Sequence, residues 1–153
     1  MVVSGGHPGP ASVVLPDAVR AAIVEHARAD YPNEACGIVI GTGSAADGGL
    51  ALRFAPTGNA AASPYRYEID SSDLLRLTLE ADDADEAFWA VVHSHVRSPA
   101  RPSPTDVGLA FYPDALYVLV SLAESEADPV SGAPGVRAWR IVRGEVFEVT
   151  ITT

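Results

Sequence analysis

The chain has 153 residues and a net charge of −10 at pH 7, from 10 basic and 20 acidic side chains. Its length suits one domain with a single hydrophobic core, and its acidity argues against a nucleic-acid partner because phosphates would be repelled. The longest apolar runs, Ala87–Val92 and Ala115–Val120, are far shorter than the about 20 residues that a membrane span needs.

The cysteine content and the amino terminus bear on location. Cys36 is the only cysteine, so no internal disulfide can form, which fits a reducing compartment. The first ten residues, MVVSGGHPGP, lack the positive and apolar regions of a signal peptide. We therefore expect a cytoplasmic protein. Residues 1–11, rich in Gly and Pro, are expected to form a flexible leader before a domain at 12–153.

A strand and an amphipathic helix are predicted at the start of this domain. The β-branched run Ser12–Leu15 is typical of a short strand. After it, Val19, Ile23 and Ala27 recur on one helical face. Pro32 ends this helix because the residue before a proline disfavours helical geometry.

The next segments predict a hairpin and a second helix. Ala35–Gly41 is typical of a buried strand, and Leu50–Ala55 is its expected hairpin partner. Asp70 and Asp73 form a capping pair that opens a helix reaching to about residue 82. This helix is expected to bury three leucines, Leu74, Leu75 and Leu79.

The second half of the chain predicts four further strands, a short helix and a turn. The strands are Phe88–His95, Leu116–Leu122 and a final hairpin of Val136–Val142 with Val146–Ile151, and Ser103–Tyr112 is the short helix. In all, about six strands and three helices in alternating groups predict a mixed α/β domain around one curved, mostly antiparallel sheet.

Two histidines end the central strand. Successive side chains on a strand point to opposite faces, so His93 and His95 project together. Zinc can accept both imidazoles at about 2 Å, although a His-x-His pair alone is weak support for a metal site. Asp106 can supply an oxygen ligand, and two histidines with one carboxylate leave the fourth tetrahedral position open. An open position is typical of a catalytic zinc.

The segment SPTD also has a purely structural interpretation. Ser103 at the N-cap, Pro104 at the first helical position and Asp106 at the third form a capping-box-like helix start. The two interpretations are compatible, because such a start would hold Ser103 and Asp106 rigidly against the strand end.

A metal hydrolase also needs a base to take a proton from water. The acids near predicted strand boundaries are Glu34, Glu68, Asp70 and Glu86. Glu34 precedes the buried run ACGIVIG, where desolvation could raise its pKa. A surface acid in a loop is the alternative for Glu34, and spacing alone does not choose.

These residues resemble the signature of the JAMM (MPN-plus) metalloproteases. That pattern has a Glu on the second strand, then His-x-His, seven residues, Ser, two residues and Asp; the chain has NEACGIVIG, HSH, Ser103 and Asp106 at these spacings. The resemblance covers roughly residues 12–151. It is greatest to small bacterial members, among them peptidases that remove a C-terminal cysteine from a ubiquitin-like sulfur-carrier protein.

The resemblance implies a single MPN-type domain, layered as in cytidine deaminases, and one zinc per chain. His93, His95 and Asp106 would hold the zinc, Glu34 would be the general base, and Ser103 would stabilise the oxyanion. The implied substrate is the amide bond after the Gly-Gly tail of a ubiquitin-like protein, which would release cysteine or a lysine-linked target. Val96 stands where relatives commonly have proline, and the chain lacks the insertions with which eukaryotic deubiquitinases bind polyubiquitin.

This function has two alternatives. A catalytically silent MPN-type scaffold that binds proteins is the alternative, although inactive relatives typically lose the metal ligands. A zinc nucleobase deaminase is excluded because H-x-E and P-C-x-x-C are both absent from the sequence.

The other cysteine, tryptophan, histidine and arginine side chains are expected to have structural roles. Cys36, Trp89 and Trp139 are expected in the core, and His7 and His26 on the surface. Arg97 and Arg101 flank the loop after the histidines. They are interpreted as exposed, solvated side chains, with contact to a substrate carboxylate as the alternative.

Overall fold

The computed structural model describes residues 9–153, so most of the expected leader at 1–11, including His7, lies outside the described residues and remains a prediction. The strands are β1 (Ser12–Val14), β2 (Cys36–Gly41), β3 (Ala51–Thr57), β4 (Ala87–His95), β5 (Leu116–Ser121), β6 (Gly135–Val142) and β7 (Glu145–Thr152). The helices are α1 (Asp17–Asp30), α2 (Ser71–Asp83), α3 (Pro104–Gly108) and a short 3-10 helix at Glu124–Glu126.

All seven of these strands lie in one sheet of order β1-β7-β6-β5-β4-β2-β3. The β4–β5 and β1–β7 pairs are parallel, and the other pairs are antiparallel. The expected total of about six strands is one short, although each of the seven segments predicted individually as a strand overlaps one of these strands. Three residues, Ser12–Val14, are enough to add a parallel edge strand along Thr150–Thr152 of β7.

The core lies on both faces of the sheet. On one face, Val19, Ile23 and Ala27 of α1 are buried, as their spacing predicted, in a cluster that includes Trp89. On the other face, residues of α2 and the segment after α3 pack in a second cluster that includes Trp139. Both tryptophans are buried, as expected.

The buried face of α2 differs from the prediction. Leu75 and Leu79 are 60% and 59% exposed, whereas Leu77 and Ala81 are buried and Leu74 is half-buried. Leu75 and Leu79 are four residues apart, and so are Leu77 and Ala81. Helical periodicity therefore could not decide which of the two pairs faces the sheet. The contact with β4 decides it.

The helix α3 is shorter than predicted. It ends at Gly108 rather than near Tyr112. The backbone N–H of Tyr112 donates instead to the hydroxyl of Tyr117 on β5, at 3.0 Å, and Phe111 is 72% exposed. The segment after Gly108 is thus bound to the sheet and does not continue the helix.

Candidate metal centre

The carboxyl end of β4 and the first turn of α3 form the candidate site. In the antiparallel β2–β4 pair, Cys36 lies opposite His93. Continuing this register by two residues places Glu34 beside His95. The backbone N–H of Ala35 donates to Ser94 Oγ at 2.8 Å, which joins the start of β2 to β4 between the two histidines.

Three potential ligand atoms form a nearly equilateral triangle. His95 Nε2 lies 3.0 Å from Asp106 Oδ2, His93 Nε2 lies 3.2 Å from the same oxygen, and the two Nε2 atoms are 3.2 Å apart. A tetrahedral zinc with bonds of about 2.0–2.1 Å would separate its ligands by roughly 3.3 Å. All three side chains are buried. The arrangement therefore fits one face of a tetrahedral metal site.

The surrounding hydrogen bonds orient two of these side chains. His95 Nδ1 lies 2.7 Å from the carbonyl oxygen of Pro99, so Nδ1–H donates there and the Nε2 lone pair faces the centre. Ser103 N–H donates to Asp106 Oδ2 at 2.8 Å, and Asp106 N–H donates to Ser103 Oγ at 3.1 Å. SPTD is thus a capping box, and the same turn brings Asp106 to the histidines.

The protonation states also suit a cation. Burial opposes ionisation of Asp106, but hydrogen bonds with His93 and His95 hold its pKa well below the usual range. Burial lowers the pKa of His93 and so favours the neutral imidazole. Burial also opposes the charged form of His95, yet its bonds to Asp106 and Pro99 raise its pKa. An ionised carboxylate beside a neutral imidazole is a donor set that zinc accepts.

Of the four candidate acids, Glu34 is the one beside this triangle. It is buried, and its Oε1 has no hydrogen-bond partner among the described residues. The pKa of Glu34 is raised to about 7, mainly by burial; His95 acts to lower it, and Asp106 acts to raise it. The other three acids serve elsewhere: Glu68 is exposed, Asp70 caps α2, and Glu86 pairs with Arg53 at 2.9 Å. A carboxylate with this pKa suits proton transfer at neutral pH.

The raised pKa of Glu34 predicts a pH-dependent stability of the metal-free protein. The unfolded chain ionises this group near pH 4.5 but the folded chain only near 7, so folding stability falls as the pH rises through this range. Glu34→Gln removes the ionisable group and with it this fall in folding stability. In the presence of chelator, we expect the variant to exceed wild type by about 1–2 kcal/mol at pH 8, allowing for screening by solvent in the adjoining cavity, and by less at pH 5. Thermal unfolding at both pH values measures the difference; an equal gain at both would contradict it.

Three residues that the sequence did not indicate help to position this site. The side-chain amide of Asn59 donates to the carbonyl of Glu34 at 2.9 Å, and Glu34 N–H donates to the carbonyl of Ser63 at 2.8 Å. The ring of Tyr67 stacks on His93, with centroids 4.2 Å apart and planes inclined by 18°. All three contacts come from the irregular segment after β3, where no periodic pattern could reveal them.

Stacking on Tyr67 is expected to support metal binding. Ligating histidines usually donate their second N–H, but His93 Nδ1 is buried and has no hydrogen-bond partner among residues 9–153. The ring of Tyr67 is thus the group that holds this imidazole from one side. We expect Tyr67→Leu to weaken zinc binding by about tenfold and Tyr67→Phe to retain it. Competition with a chromophoric chelator measures the zinc affinity of each variant. If Tyr67→Leu bound zinc as tightly as wild type, Tyr67 would contribute only to packing.

The site opens into a cavity of about 370 Å³. Three of the five predicted site residues, Glu34, His95 and Ser103, line it. The lining residues are Pro32, Glu34, Pro64, Tyr65, His95, Val96, Arg97, Ser98 and Ser103.

Two other side chains fall outside the site chemistry. Cys36 is fully buried, and burial raises its pKa to about 11, which fits its expected role as a small apolar residue. His26 was expected on the surface but is half-buried, and its Nε2 lies 3.0 Å from the carbonyl oxygen of Cys36. The helix face that carries it turns partly toward the sheet. Within the part of the chain that the structure describes, no helix is long and apolar enough to cross a membrane.

Comparison with known sequences gives consistent matches. A family model for prokaryotic homologs of the JAB domain matches residues 16–142. The CysO-cysteine peptidase of Mycobacterium tuberculosis is 40% identical over 136 residues, which cover 89% of this chain and 86% of the relative. A desampylase of Haloferax volcanii is 32% identical over 107 residues, or 67% of this chain and 75% of the relative.

Solved structures show the same fold. The solution structure of a protein from Desulfitobacterium hafniense matches with a TM-score of 0.76 and 30% identity, covering 92% of this chain and 91% of that one. A JAB1/MPN domain protein from Archaeoglobus fulgidus matches with a TM-score of 0.52 and 15% identity, covering 94% and 98%. The expected mixed α/β fold of a single MPN-type domain is confirmed.

Proposed function

The chain belongs to the prokaryotic JAB-domain family, and on that basis we propose that it is a zinc-dependent peptidase of the JAMM type. Its substrate would be the amide bond after the C-terminal Gly-Gly of a ubiquitin-like sulfur-carrier protein. The observation that carries this proposal is the buried carboxylate of Glu34, with its pKa raised to about 7, beside the triangle of His93, His95 and Asp106. The names of the two sequence relatives support a peptidase of this substrate class.

His93, His95 and Asp106 are the residues that would hold the metal. When bound there, zinc would supply a Lewis acid that brings the pKa of a water ligand to about 7 and polarises the scissile carbonyl. Glu34 would accept the proton of the attacking water and return it to the departing amine. Its pKa near 7 suits both transfers, because a group with that pKa can gain and lose a proton at neutral pH.

Ser103 would stabilise the negative oxygen that develops on the scissile carbonyl. Its Oγ accepts a hydrogen bond from Asp106 N–H, so its hydroxyl proton remains available to donate into the cavity that it lines. A single donor of this kind contributes about 2.7–4 kcal/mol of transition-state stabilisation. The capping box fixes where this donor lies.

Intact-mass spectrometry on the zinc-loaded protein tests the proposal. One substrate is a sulfur-carrier protein ending in Gly-Gly-Cys; the second has the same tail joined to a lysine side chain; Glu34→Gln is the control. We expect cleavage by wild type and none by the control. Loss of cysteine alone would make the protein a C-terminal peptidase, and release of the lysine conjugate would make it an isopeptidase. Stoichiometric zinc without cleavage of either substrate would overturn the proposal in favour of a binding scaffold.

A further inference from the structure

A second recess adjoins the catalytic cavity and shares one of its walls. It has a volume of about 670 Å³ and lies between the end of α1, the loop after β4 and the start of the 3-10 helix. Val96 and Arg97 line both spaces, so these two residues form the boundary between them. Arg28, from the last turn of α1, also lines the second recess.

The two arginines of this recess lack acidic partners. Arg53, Arg76 and Arg137 form ion pairs on the surface, but among residues 9–153 neither Arg28 nor Arg97 forms an ion pair or a side-chain hydrogen bond. Glu124 lines the same recess without pairing to either arginine. In a chain with a net charge of −10, two guanidinium groups without acidic partners in one recess favour the approach of an anion to it.

The backbone that carries Arg97 is anchored on both sides. Before it, Val96 is only 6% exposed, and the carbonyl of His95 accepts a hydrogen bond from Leu122 N–H at 2.9 Å. After it, the carbonyl of Ser98 accepts a hydrogen bond from Ser121 Oγ at 2.6 Å. The side chain of Arg97 therefore starts from a fixed backbone position two residues beyond a predicted metal ligand, so that ligand binding has to order only this side chain and not the loop.

We propose that Arg97, assisted by Arg28, binds the free α-carboxylate of the residue that is cleaved from the carrier tail. This inference rests on the proposed peptidase function. A single residue spans at most about 3.6 Å, so its carboxylate would lie just beyond the scissile bond, within reach of a side chain that lines the catalytic cavity as Arg97 does. The planar guanidinium of arginine pairs with a carboxylate through two parallel hydrogen bonds.

This site would decide between the two bond types that the tail could form. A C-terminal amino acid joined through its α-amine carries a free carboxylate next to the bond. A lysine that is modified on its side chain has its own carboxyl group in the backbone of the target protein. The recess thus favours release of a single C-terminal amino acid over cleavage of an isopeptide bond.

The first test compares two carriers that differ in one group. Both end in Gly-Gly-Cys, one as the free acid and the other as the C-terminal carboxamide. We expect wild type to cleave the acid with a kcat/KM about tenfold or more above that of the amide.

Arg97→Gln should bring the kcat/KM values of the acid and the amide within about twofold of each other by slowing cleavage of the acid. Arg97→Lys should keep part of the preference. Arg101→Gln, an exposed arginine of the same loop that lines neither space, should keep all of it.

The second test measures binding without turnover. Zinc-loaded Glu34→Gln is titrated by NMR with a synthetic tail peptide ending in Gly-Gly-Ala, as the acid and as the amide; alanine avoids a thiol that would compete for zinc. We expect tighter binding of the acid, and no difference once Arg97→Gln is added.

The outcomes separate the two proposals. If both carriers are cleaved equally well and the peptides bind equally, the peptidase function stands and the carboxylate site is refuted. If the acid peptide binds more tightly through Arg97 but neither carrier is cleaved, the carboxylate site stands and the peptidase function fails. Retention of the full preference by Arg97→Gln would also refute the site.

Discussion

Glu34→Gln is expected to lower kcat by about 10²–10⁴-fold while the protein still binds one zinc. Glutamine has the size of glutamate but cannot accept the proton of water. Glu34 supplies none of the three potential ligand atoms, so its replacement leaves His93, His95 and Asp106 in place. Steady-state kinetics on the Gly-Gly-Cys carrier, with metal content by mass spectrometry, measures both effects.

A matched control exists on the same chain. Glu68 is another acid at a predicted strand boundary, but it is exposed and does not line the cavity. Glu68→Gln should therefore retain wild-type turnover. If Glu34→Gln turned over as fast as wild type, Glu34 would have no part in the mechanism, and the orphaned Oε1 would need another explanation.

Asp106→Ala is expected to weaken zinc binding by more than about 100-fold. Loss of a residue that only hydrogen-bonds to a metal ligand costs about 10–100-fold, and Asp106 is itself a predicted ligand. The substitution removes the oxygen that lies 3.0 and 3.2 Å from the two imidazole nitrogens. It also removes the only anionic group of the triangle, so two imidazoles would have to hold the divalent cation alone. Zinc affinity by chelator competition measures the loss, and turnover should fall with it.

Asp106 also takes part in the cap of α3, and a second variant separates that role from metal binding. Ser103→Ala removes the acceptor of Asp106 N–H but none of the three ligand atoms. We expect it to lower the stability of the metal-free protein by about 1 kcal/mol and to leave zinc affinity unchanged. If Asp106→Ala bound zinc as tightly as Ser103→Ala does, Asp106 would be only part of a helix cap.

The predicted positions of most elements agree with the structure because their signals are local. Apolar spacing in Val19, Ile23 and Ala27 reports which face of α1 is buried, and the order Ser-Pro-Thr-Asp reports a helix start. Such patterns depend on the backbone period and on capping hydrogen bonds within a few residues. The face of α2 and the end of α3 were predicted wrongly because each depends on a contact with a distant strand.

By itself, the sequence determined the fold class, the pairing of two histidines at a strand end and the capping box that holds Asp106. The resemblance to the JAMM signature had assigned Glu34, but only the tertiary structure brings that acid beside the histidines, because the β2–β4 register joins Ala35 to Ser94 across 59 residues. The tertiary structure also decided that Tyr67 covers His93 and that Arg28 and Arg97 share one recess. The physical reason is that local patterns specify backbone geometry, whereas the convergence of distant side chains follows from strand pairing and burial.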